Sequence, residues 1–419
     1  MGAAVQSGGQ PPVAEALRSA APPRVAVLGV HAGRVAPGAE ELLACATVVA
    51  GGREQLDALA PPGAERVVLA ADLGPAIDAL DAASGSACVL ASGDPGFFGI
   101  VRRLAERLGR ERLDVRPAPS SVAVAFARLG VPWDDAIVVS AHGRAPEAAL
   151  HAALRHPKVA ILTEPGAPPA LYARGLVGTG RLMAVAERLG APDERVVSGA
   201  PEEMAERAFA EPNVVIVLDP DSAGARTSIW PPRTPPAWAL SDDDFEHRAG
   251  MVTKREVRAV VLSRLGPGVG DLVWDVGCHS GSVAIECARL GAAAIGVERD
   301  AEAAAMCARN AAAQGVPVRV VVGEAPAALA DLPDPDAAFV GGGGADLEAI
   351  LDATAPRTRR AVVVTLALVE RAGPAMERLA AHGLDVDATM LQASRLKALA
   401  GGHRLAAENP VIVVSGVRA

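Results

Sequence analysis

The chain has 419 residues, of which 50% are hydrophobic but only 3% aromatic, and its formal net charge at pH 7 is −9. The length predicts two or three domains, and the composition predicts a core built from Ala, Val and Leu. The acidic balance disfavours nucleic acid or an anionic membrane as the main partner, although local basic clusters could still hold an acidic small molecule.

The five cysteines are scattered and form no C-x-x-C pair, so neither a zinc ribbon nor a disulfide framework is expected. We predict no metal site and a reduced, cytoplasmic location. No apolar run reaches the length of a membrane span. Residues 1–23 are rich in Ala, Gly and Pro without a basic segment followed by an apolar one, which favours a disordered tail over a signal peptide.

The first part of the chain alternates short apolar runs with helical patterns. This alternation predicts a mainly parallel sheet whose ligand site lies at the carboxyl ends of the strands. The elements belong to a lobe at about residues 24–115, with strands at 24–29, 47–50, 66–69 and 87–91 and helices at 39–44, 54–59 and 74–82.

A glycine-rich loop, Ser92-Gly-Asp-Pro-Gly-Phe-Phe-Gly99, follows the last of these strands. Asp94 before proline caps a turn, and the three glycines permit close backbone approach. Spacing alone leaves two interpretations open, a binding loop or a surface turn with an apolar anchor.

A second lobe, at about residues 116–222, continues the alternation, and no long loop separates it from the first, so both form one unit. A linker follows at 223–249, because Trp230-Pro-Pro-Arg-Thr-Pro-Pro is a polyproline signal. The predicted elements of the second lobe are strands at 137–140, 159–162, 181–186 and 214–218 and helices at 122–129, 147–154 and 168–175.

The last region, residues 250–419, contains the most informative stretch. A helix at 254–265 precedes a buried strand, Leu272-Val-Trp274, and a turn bracketed by Gly277 and Gly281 then leads into a helix at 282–290. Glycines let the backbone bend sharply and leave room for a ligand. The helix amino end that follows favours an anionic group.

Two acids flank this turn, Asp275 before it and Glu298 at the end of the next strand, 294–297. A carboxylate in the position of Glu298 holds a ribose diol in doubly wound nucleotide folds. Asp275 suits a cationic amine, and the G-x-x-x-G spacing argues against a dinucleotide pyrophosphate. An ammonium, a carboxylate and a ribose together indicate S-adenosylmethionine (SAM). The alternative is an ordinary strand–helix turn.

Four more strands are predicted, at 318–322, 337–340, 361–366 and 411–414. The run from Gly341 to Gly344 follows the second of them. Four glycines after an apolar strand leave either a shelf for a substrate beside the cofactor or a flexible loop.

Several motifs resemble known enzyme families. Met251-Val-Thr-Lys-Arg-Glu-Val-Arg258, Trp274-Asp-Val-Gly277 and Gly323-Glu-Ala-Pro326 resemble the decarboxylating precorrin methyltransferases of cobalamin biosynthesis. Gly93-Asp-Pro95 and Pro119-Ser-Ser121 resemble the tetrapyrrole methylases. The fusion of the two, over about 24–222 and 245–419, is similar to the decarboxylating precorrin C5,15-methyltransferase family.

The resemblance implies a two-lobed tetrapyrrole methylase fold followed by a Rossmann-like class I SAM-dependent methyltransferase domain. It implies that the enzyme methylates C5 and C15 of precorrin-6B and decarboxylates the C12 acetate, which gives precorrin-8X. The second unit would act at C15 and the first at C5. We expect no Ser/His/Asp set, because alignment of a nucleophilic meso carbon with SAM carries much of the rate. The resemblance also implies a homo-oligomer, a dimer or tetramer, without nucleic acid or membrane.

The turn and the resemblance together give the candidate cofactor residues: Asp275, Gly277, Gly281, Ser282, Glu298, Gly323, Glu324, Ala325 and Gly341 in the second unit, and Gly29, Gly93, Asp94, Ser120, Ser121 and Thr163 in the first. Burial of the substrate's carboxylates requires polar and cationic partners. The candidates are Thr253, Lys254, Arg258, Arg395, His403 and Arg144, and for each charged one the alternative is a solvated surface charge.

Two turns depart from the family pattern. The usual G-x-G-P-G turn is here Gly29-Val-His-Ala-Gly33, and Cys278-His-Ser280 replaces a run of small residues. His279 is either a substrate contact or a tolerated loop residue. The altered first turn leaves open that only the C-terminal unit is active, while the N-terminal unit binds substrate or dimerises. A generic small-molecule or RNA methyltransferase, and a non-enzymatic SAM sensor or tetrapyrrole carrier, are further alternatives.

Overall fold

The structure is a computed structural model that describes residues 25–70, 72–142, 145–220, 238–248, 251–341 and 344–418. The expected tail, most of the expected linker and Arg144 lie outside these residues. The described helices are α1 Glu40–Ala44, α2 Arg53–Leu59, α3 Gly74–Ala82, α4 Val101–Leu108, α5 Ser121–Leu129, α6 Glu147–Arg155, α7 Pro169–Leu176, α8 Pro201–Met204, α9 Arg255–Leu265, α10 Ser282–Arg289, α11 Ala301–Ala313, α12 Leu347–Thr354 and α13 Ala372–Ala381.

The first sheet is mainly parallel, which confirms the prediction for the first lobe. Its order is β2-β1-β5-β3-β4, and β6 also pairs with β1. Only β2 runs antiparallel, as a short return from the end of β1. The strands are β1 Val25–His31, β2 Arg34–Val35, β3 Val48–Gly51, β4 Glu65–Val68, β5 Ala87–Ser92 and β6 Leu113–Arg116.

The second sheet differs from the first, because it is mainly antiparallel. Its order is β10-β9-β11-β8-β7, and only the β7–β8 pair is parallel. Strands β7, β8 and β9, which are joined through helices, run in one direction, whereas β10 and β11 run the other way, because the short connection from β9 to β10 contains no helix and reverses the chain. The strands are β7 Ile137–Ser140, β8 Lys158–Leu162, β9 Leu182–Glu187, β10 Arg195–Gly199 and β11 Asn213–Leu218.

The third sheet has seven strands in the order β14-β13-β12-β15-β16-β20-β17. All neighbours up to β16 pair in parallel, and β20 runs antiparallel between β16 and β17. A separate hairpin of β18 and β19 precedes β20. The strands are β12 Leu272–Val276, β13 Ala293–Glu298, β14 Arg319–Val322, β15 Ala337–Gly341, β16 Ala361–Leu366, β17 Asp385–Leu391, β18 Ser394–Leu399, β19 Gly402–Ala407 and β20 Val411–Val417.

Strand β12 is apolar on both faces because helices cover both faces of this sheet. Its residues Leu272 and Trp274 belong to a core that includes Leu351 of α12 and Leu379 of α13. The intervening Val273 belongs to a core on the opposite face, with residues of α9 and α10. Successive side chains of β12 therefore belong to two different cores, as expected for a parallel strand that is buried on both faces.

The end of the expected linker packs against the third sheet's helices. Phe245 is buried, and the backbone N–H groups of Ala239 and Leu240 donate to the Glu286 carboxylate at 2.8 and 2.7 Å. Asn310 donates to the carbonyl oxygens of Glu246 and Ser280, both at 2.9 Å. The segment 238–248 is therefore a strap on the last unit rather than free linker.

Helix α6 of the second lobe packs against the edge where the third sheet's strands begin. Buried His151 lies 3.0 Å through Nδ1 from the Gly270 carbonyl oxygen and 3.3 Å from Asp336 Oδ2. Arg155 donates to the carbonyl oxygen of Ala288 at 2.6 Å. The opposite edge of the sheet, where the strands end, stays free of this helix.

Candidate active site

A cavity of about 780 Å³ lies at the carboxyl ends of β12, β13, β15 and β16. This is the edge at which open parallel sheets bind ligands. All second-unit cofactor candidates except Gly281 line the cavity, together with Thr253 and Lys254 of the substrate candidates.

The turn after β12 needs glycine at both of its ends. Gly277 and Gly281 have φ values of +75° and +74°, which side chains rarely adopt. A Cβ on Gly281 would lie 2.2 Å from Cys307 Sγ, so the packing of the turn against Cys307 requires glycine here. Gly281 itself does not line the cavity. The Gly277 N–H donates to the Val297 carbonyl oxygen at 2.8 Å, which ties the turn to β13.

Asp275 is buried and keeps one carboxylate oxygen without a partner. Its Oδ2 accepts the Ala284 N–H at 2.9 Å, whereas Oδ1 has no hydrogen bond among the described residues. Burial, with a smaller contribution from the charge of Glu298, raises the pKa of Asp275 to about 7. A buried acceptor of this kind costs free energy unless a donor reaches it, and an ammonium group would be such a donor.

Glu298 lies at the end of β13 and anchors two loops. Its Oε2 accepts the His279 N–H and its Oε1 accepts the Asp300 N–H, both at 3.0 Å. A carboxylate oxygen can accept a second hydrogen bond, so both oxygens retain capacity toward the cavity. Glu324 also lines the cavity but is largely exposed and pairs with Arg299 at 3.2 Å.

The ends of β12 and β15 approach closely at the back of the cavity. A Cβ on Gly341 would lie 3.1 Å from the Gly277 carbonyl oxygen, so this position also requires a small residue. Gly342 and Gly343 of the expected shelf lie outside the described residues. Ser282, Gly323 and Ala325 complete the predicted set along the wall.

Arg258 was expected to bind substrate, but the structure gives it a different role. It is fully buried and pairs with Glu286 at 2.9 Å, and its other donors bind the carbonyl oxygens of Thr253 and Leu240. The ring of Phe245 packs against the guanidinium, and its centroid lies 4.7 Å from Arg258 Cζ. Arg258 therefore holds the strap in place and does not reach the cavity.

Two other substrate candidates lie outside the cavity wall. Arg395 on β18 is surrounded by three carboxylates, with Asp242 at 3.3 Å, Glu256 at 2.9 Å and Glu408 at 3.4 Å. His403 lies on β19 of the exposed hairpin. Neither residue is among those that line the cavity, and the exposed hairpin has no pattern of buried residues from which the sequence could have predicted its position.

Several residues that sequence reasoning did not assign also line the cavity, among them Met251, Phe339 and Asp346. Phe339 lies near the end of β15, a position that the strand-end rule would have pointed to. Met251 lies in a loop and Asp346 ends a short 3₁₀ helix before α12, and the pattern of apolar residues predicts neither position.

The first-unit candidates Gly29, Gly93 and Ser120 meet where β1 and β5 end. A Cβ on Gly29 would lie 2.3 Å from the Gly93 carbonyl oxygen, and one on Gly93 would lie 3.3 Å from Ser120 Cα. Ser120 caps α5, whose first residue is Ser121, by accepting the Ala123 N–H at 3.2 Å.

The other two first-unit candidates hold local structure. Asp94 Oδ1 accepts the Gly96 N–H at 2.8 Å and so shapes the loop after β5. Thr163 is buried, and its hydroxyl donates to Asn213, with Oδ1 at 2.7 Å. The Thr163 hydroxyl is therefore used within the fold.

The altered turn of the first unit forms a tight hairpin. Ala32 and Gly33 have φ values of +50° and +70°, and His31 pairs with Arg34 across a two-residue turn. Left-handed φ at both central positions is the type I′ geometry that suits antiparallel strands. The turn therefore folds back on β1 instead of forming an open loop.

Two family models match the chain, one over each half. The tetrapyrrole (corrin/porphyrin) methylases match residues 29–205, and the precorrin methyltransferase domain matches residues 243–418. A precorrin-6Y C(5,15)-methyltransferase (decarboxylating) of Mycobacterium tuberculosis is 34% identical over 305 residues, which are 71% of this chain and 74% of the relative. The chain belongs to the decarboxylating precorrin-6Y C5,15-methyltransferase family.

Two further relatives bear on the two halves. A precorrin-6Y C(5,15)-methyltransferase (decarboxylating) of Sinorhizobium is 43% identical over 277 residues, 63% of this chain but only 65% of the relative. A probable cobalt-precorrin-6B C(15)-methyltransferase (decarboxylating) of Pyrobaculum calidifontis is 38% identical over 193 residues, 44% of this chain and 97% of the relative. The comparisons confirm the family, the fold class and the enzyme class expected from the motifs.

Proposed function

We propose that the chain methylates C5 and C15 of precorrin-6B and removes CO2 from the C12 acetate, which gives precorrin-8X. The second unit would act at C15 with loss of CO2, and the first unit would act at C5. The observation that carries this proposal is the presence, in one chain, of a tetrapyrrole methylase match and a precorrin methyltransferase match. The positions are those in the names of the Sinorhizobium and Mycobacterium relatives.

SAM is the methyl donor that suits the cavity of the second unit. The buried Asp275 Oδ1 without a partner fits the ammonium of a methionine moiety, and Glu298 at the end of β13 fits ribose hydroxyls. Gly323 and Glu324 would lie along the adenine. When bound, SAM supplies an electrophilic methyl group.

The residues of the second unit would act by positioning and by excluding water. A meso carbon of a conjugated tetrapyrrole is already nucleophilic, so alignment supplies much of the rate. Val276, Phe339 and Leu366 give the cavity an apolar wall, and Thr253 and Lys254 line it with polar groups. We assign Thr253 and Lys254 to the carboxylates of the substrate.

A second candidate function is a chain in which only the second unit transfers methyl groups. The tight Ala32-Gly33 hairpin favours it, because the turn closes on β1 at the end where a SAM loop is expected. The first unit would then bind the tetrapyrrole or join two chains.

Mass spectrometry of the tetrapyrrole after incubation with SAM and metal-free precorrin-6B separates the two candidates. A gain of two methyl groups with loss of one CO2 supports the two-site enzyme. One methyl group with loss of CO2 supports the single-site alternative. A tetrapyrrole that stays unchanged contradicts both, and the cobalt-containing substrate would then be tested.

We also propose that the chain forms a homo-oligomer through the β18–β19 hairpin. Leu396 and Leu405 face each other across the two strands, and their exposed fractions are 69% and 68%. A second copy of the hairpin would bury this pair. Light scattering should give a dimer or tetramer for the natural chain and a smaller species for Leu396→Glu, with Lys397→Glu on the other face as the control.

None of the helices in the described ranges is long and apolar enough to cross a membrane. The cytoplasmic location stays a prediction.

A further inference from the structure

His279 has a strained backbone in the centre of the cofactor turn. Its φ of +45° lies in the left-handed region, although it is not a glycine and the flanking Gly277 and Gly281 already provide the bends. Residues with a side chain rarely adopt such a conformation, and strain of this kind concentrates at functional sites. The hydrogen bond from its N–H to Glu298 Oε2, at 3.0 Å, holds the residue there.

His279 is one of the residues that line the cavity. Its Nδ1 is buried and has no hydrogen bond among the described residues. Rotation of the ring by 180° about χ2 exchanges Nδ1 with Cδ2 and Nε2 with Cε1. The shape of the ring stays almost the same, because nitrogen and carbon atoms are similar in size. The ring can therefore present a nitrogen atom to a ligand from either orientation.

The charges around the turn define what that ligand atom should be. Asp275 and Glu298 make the two sides of the turn acidic, and the cationic side chains of the wall lie beside other acids. Lys254 lies 3.8 Å from Asp242, and Arg299 pairs with Glu324. His279 is thus the basic side chain carried by the turn itself.

A methionine moiety presents its carboxylate on the carbon that carries its ammonium. If Asp275 binds the ammonium, as proposed above, the carboxylate must lie within a few ångströms of it. Asp275 and His279 are four residues apart in the chain, and both line the cavity. This arrangement matches an acid and a base to the two charges of one α-amino acid.

We propose that His279 binds the α-carboxylate of the methionine moiety of SAM and selects methyl donors that carry it. The inference rests on the proposed function, since it takes SAM as the ligand of this cavity. A charge-assisted hydrogen bond to this carboxylate should tighten binding by about ten- to a hundredfold.

The test compares two ligands that differ only in this carboxylate. Calorimetric titrations of the full chain would use S-adenosylhomocysteine and its decarboxylated analogue, S-adenosyl-3-thiopropylamine. The variant is His279→Gly, because glycine adopts the left-handed backbone without strain and keeps the N–H that bonds Glu298. His382→Gln is the control, since His382 lies near Asp352 on the surface, 3.0 Å from its Oδ1.

The expected result is a weakening of about tenfold or more for S-adenosylhomocysteine in His279→Gly, with the analogue unaffected. Any binding by the first unit is the same in all variants and is fitted as a separate site. Equal weakening of both ligands would overturn the inference, because it would indicate a distorted turn, and so would unchanged affinity for both. Release of CO2 from precorrin-6B by the natural chain is measured in parallel, so that failure of the proposed function is seen separately from failure of the carboxylate contact.

Discussion

The fold favours the protonated form of Asp275, whereas binding of an ammonium group requires its ionised form. In the ligand-free fold its pKa is about 7 against an ordinary value of 3.8, because burial disfavours the carboxylate. Between these pH values the unfolded chain has released the proton while the folded chain keeps it. The free energy of unfolding therefore falls as the pH rises from 3.8 to about 7, whereas an ammonium ligand needs the ionised form that prevails above that range.

Replacing Asp275 with Asn should separate these two effects. The side-chain oxygen of Asn can still accept the Ala284 N–H, so the free energy of unfolding above pH 7 should not fall. The KM for SAM in CO2 release, which reports on the second unit, should rise by about tenfold or more and lose its dependence on pH near 7. Asp352→Asn on the surface is the control. An unchanged KM at high pH would mean that Asp275 does not bind the ammonium.

Gly281→Ala should destabilise the chain through two separable causes. The first is the left-handed φ of +74°, and the second is the approach of the new Cβ to Cys307 Sγ, 2.2 Å away. Gly315→Ala isolates the first cause, since Gly315 has a φ of +64° and open space around its Cβ position. In urea titrations we expect a loss of about 1 kcal/mol for Gly315→Ala and about twice that or more for Gly281→Ala. Equal losses would show that the turn moves to accommodate the methyl group.

At the scale of elements, the sequence predicted most strands of the two parallel sheets and the helices at 74–82 and 254–265 to within one or two residues. Apolar runs and glycine turns are local signals, and the cavity at 275–298 followed from them. Helix α11 was missed although Asp300 caps it and its residues are largely alanine, because an alanine-rich helix shows little amphipathic contrast. The β18–β19 hairpin was missed because it has no buried face.

The strap at 238–248 depends on a buried ion pair that sequence could not assign. Arg258→Met leaves the Glu286 carboxylate buried without its cation, so we expect a loss of about 3–5 kcal/mol in the free energy of unfolding. Arg378→Met is the matched control, because Arg378 pairs with Glu348 at 2.7 Å on the surface, where such pairs contribute about 0–1 kcal/mol. Arg258 does not line the cavity and acts on Thr253 only through the fold, so the KM for precorrin-6B should rise only together with a loss of stability. A raised KM with normal stability would restore Arg258 to the substrate site.

At the scale of the whole molecule, α6 joins the two units. The His151 contacts with Gly270 and Asp336 and the Arg155 contact with Ala288 are spread along one face of this helix. Asp336 also accepts the Leu272 N–H at 2.7 Å, so the joint reaches the first residue of β12. Buried polar contacts of this kind couple the folding of neighbouring units when all partners are satisfied.

The double variant His151→Ala/Arg155→Ala should uncouple the two units. We expect a single calorimetric unfolding transition for the natural chain and two transitions for the variant, because the joint loses its polar contacts. His382→Ala, which removes a histidine near an aspartate elsewhere on the surface, should keep one transition. Two transitions in the natural chain would mean that α6 does not transmit cooperativity.

The joint at α6 also has a consequence for the proposed transfer of two methyl groups to one macrocycle. A flexible tether would let one unit swing over and receive the tetrapyrrole directly from the other. If both units transfer methyl groups, as proposed above, units held together through α6 cannot make that movement, so the product of one unit has to diffuse through solvent before it enters the other. Two chains, each inactivated in a different unit, should then complete the double methylation together when mixed, and an excess of free precorrin should dilute the intermediate that passes between them.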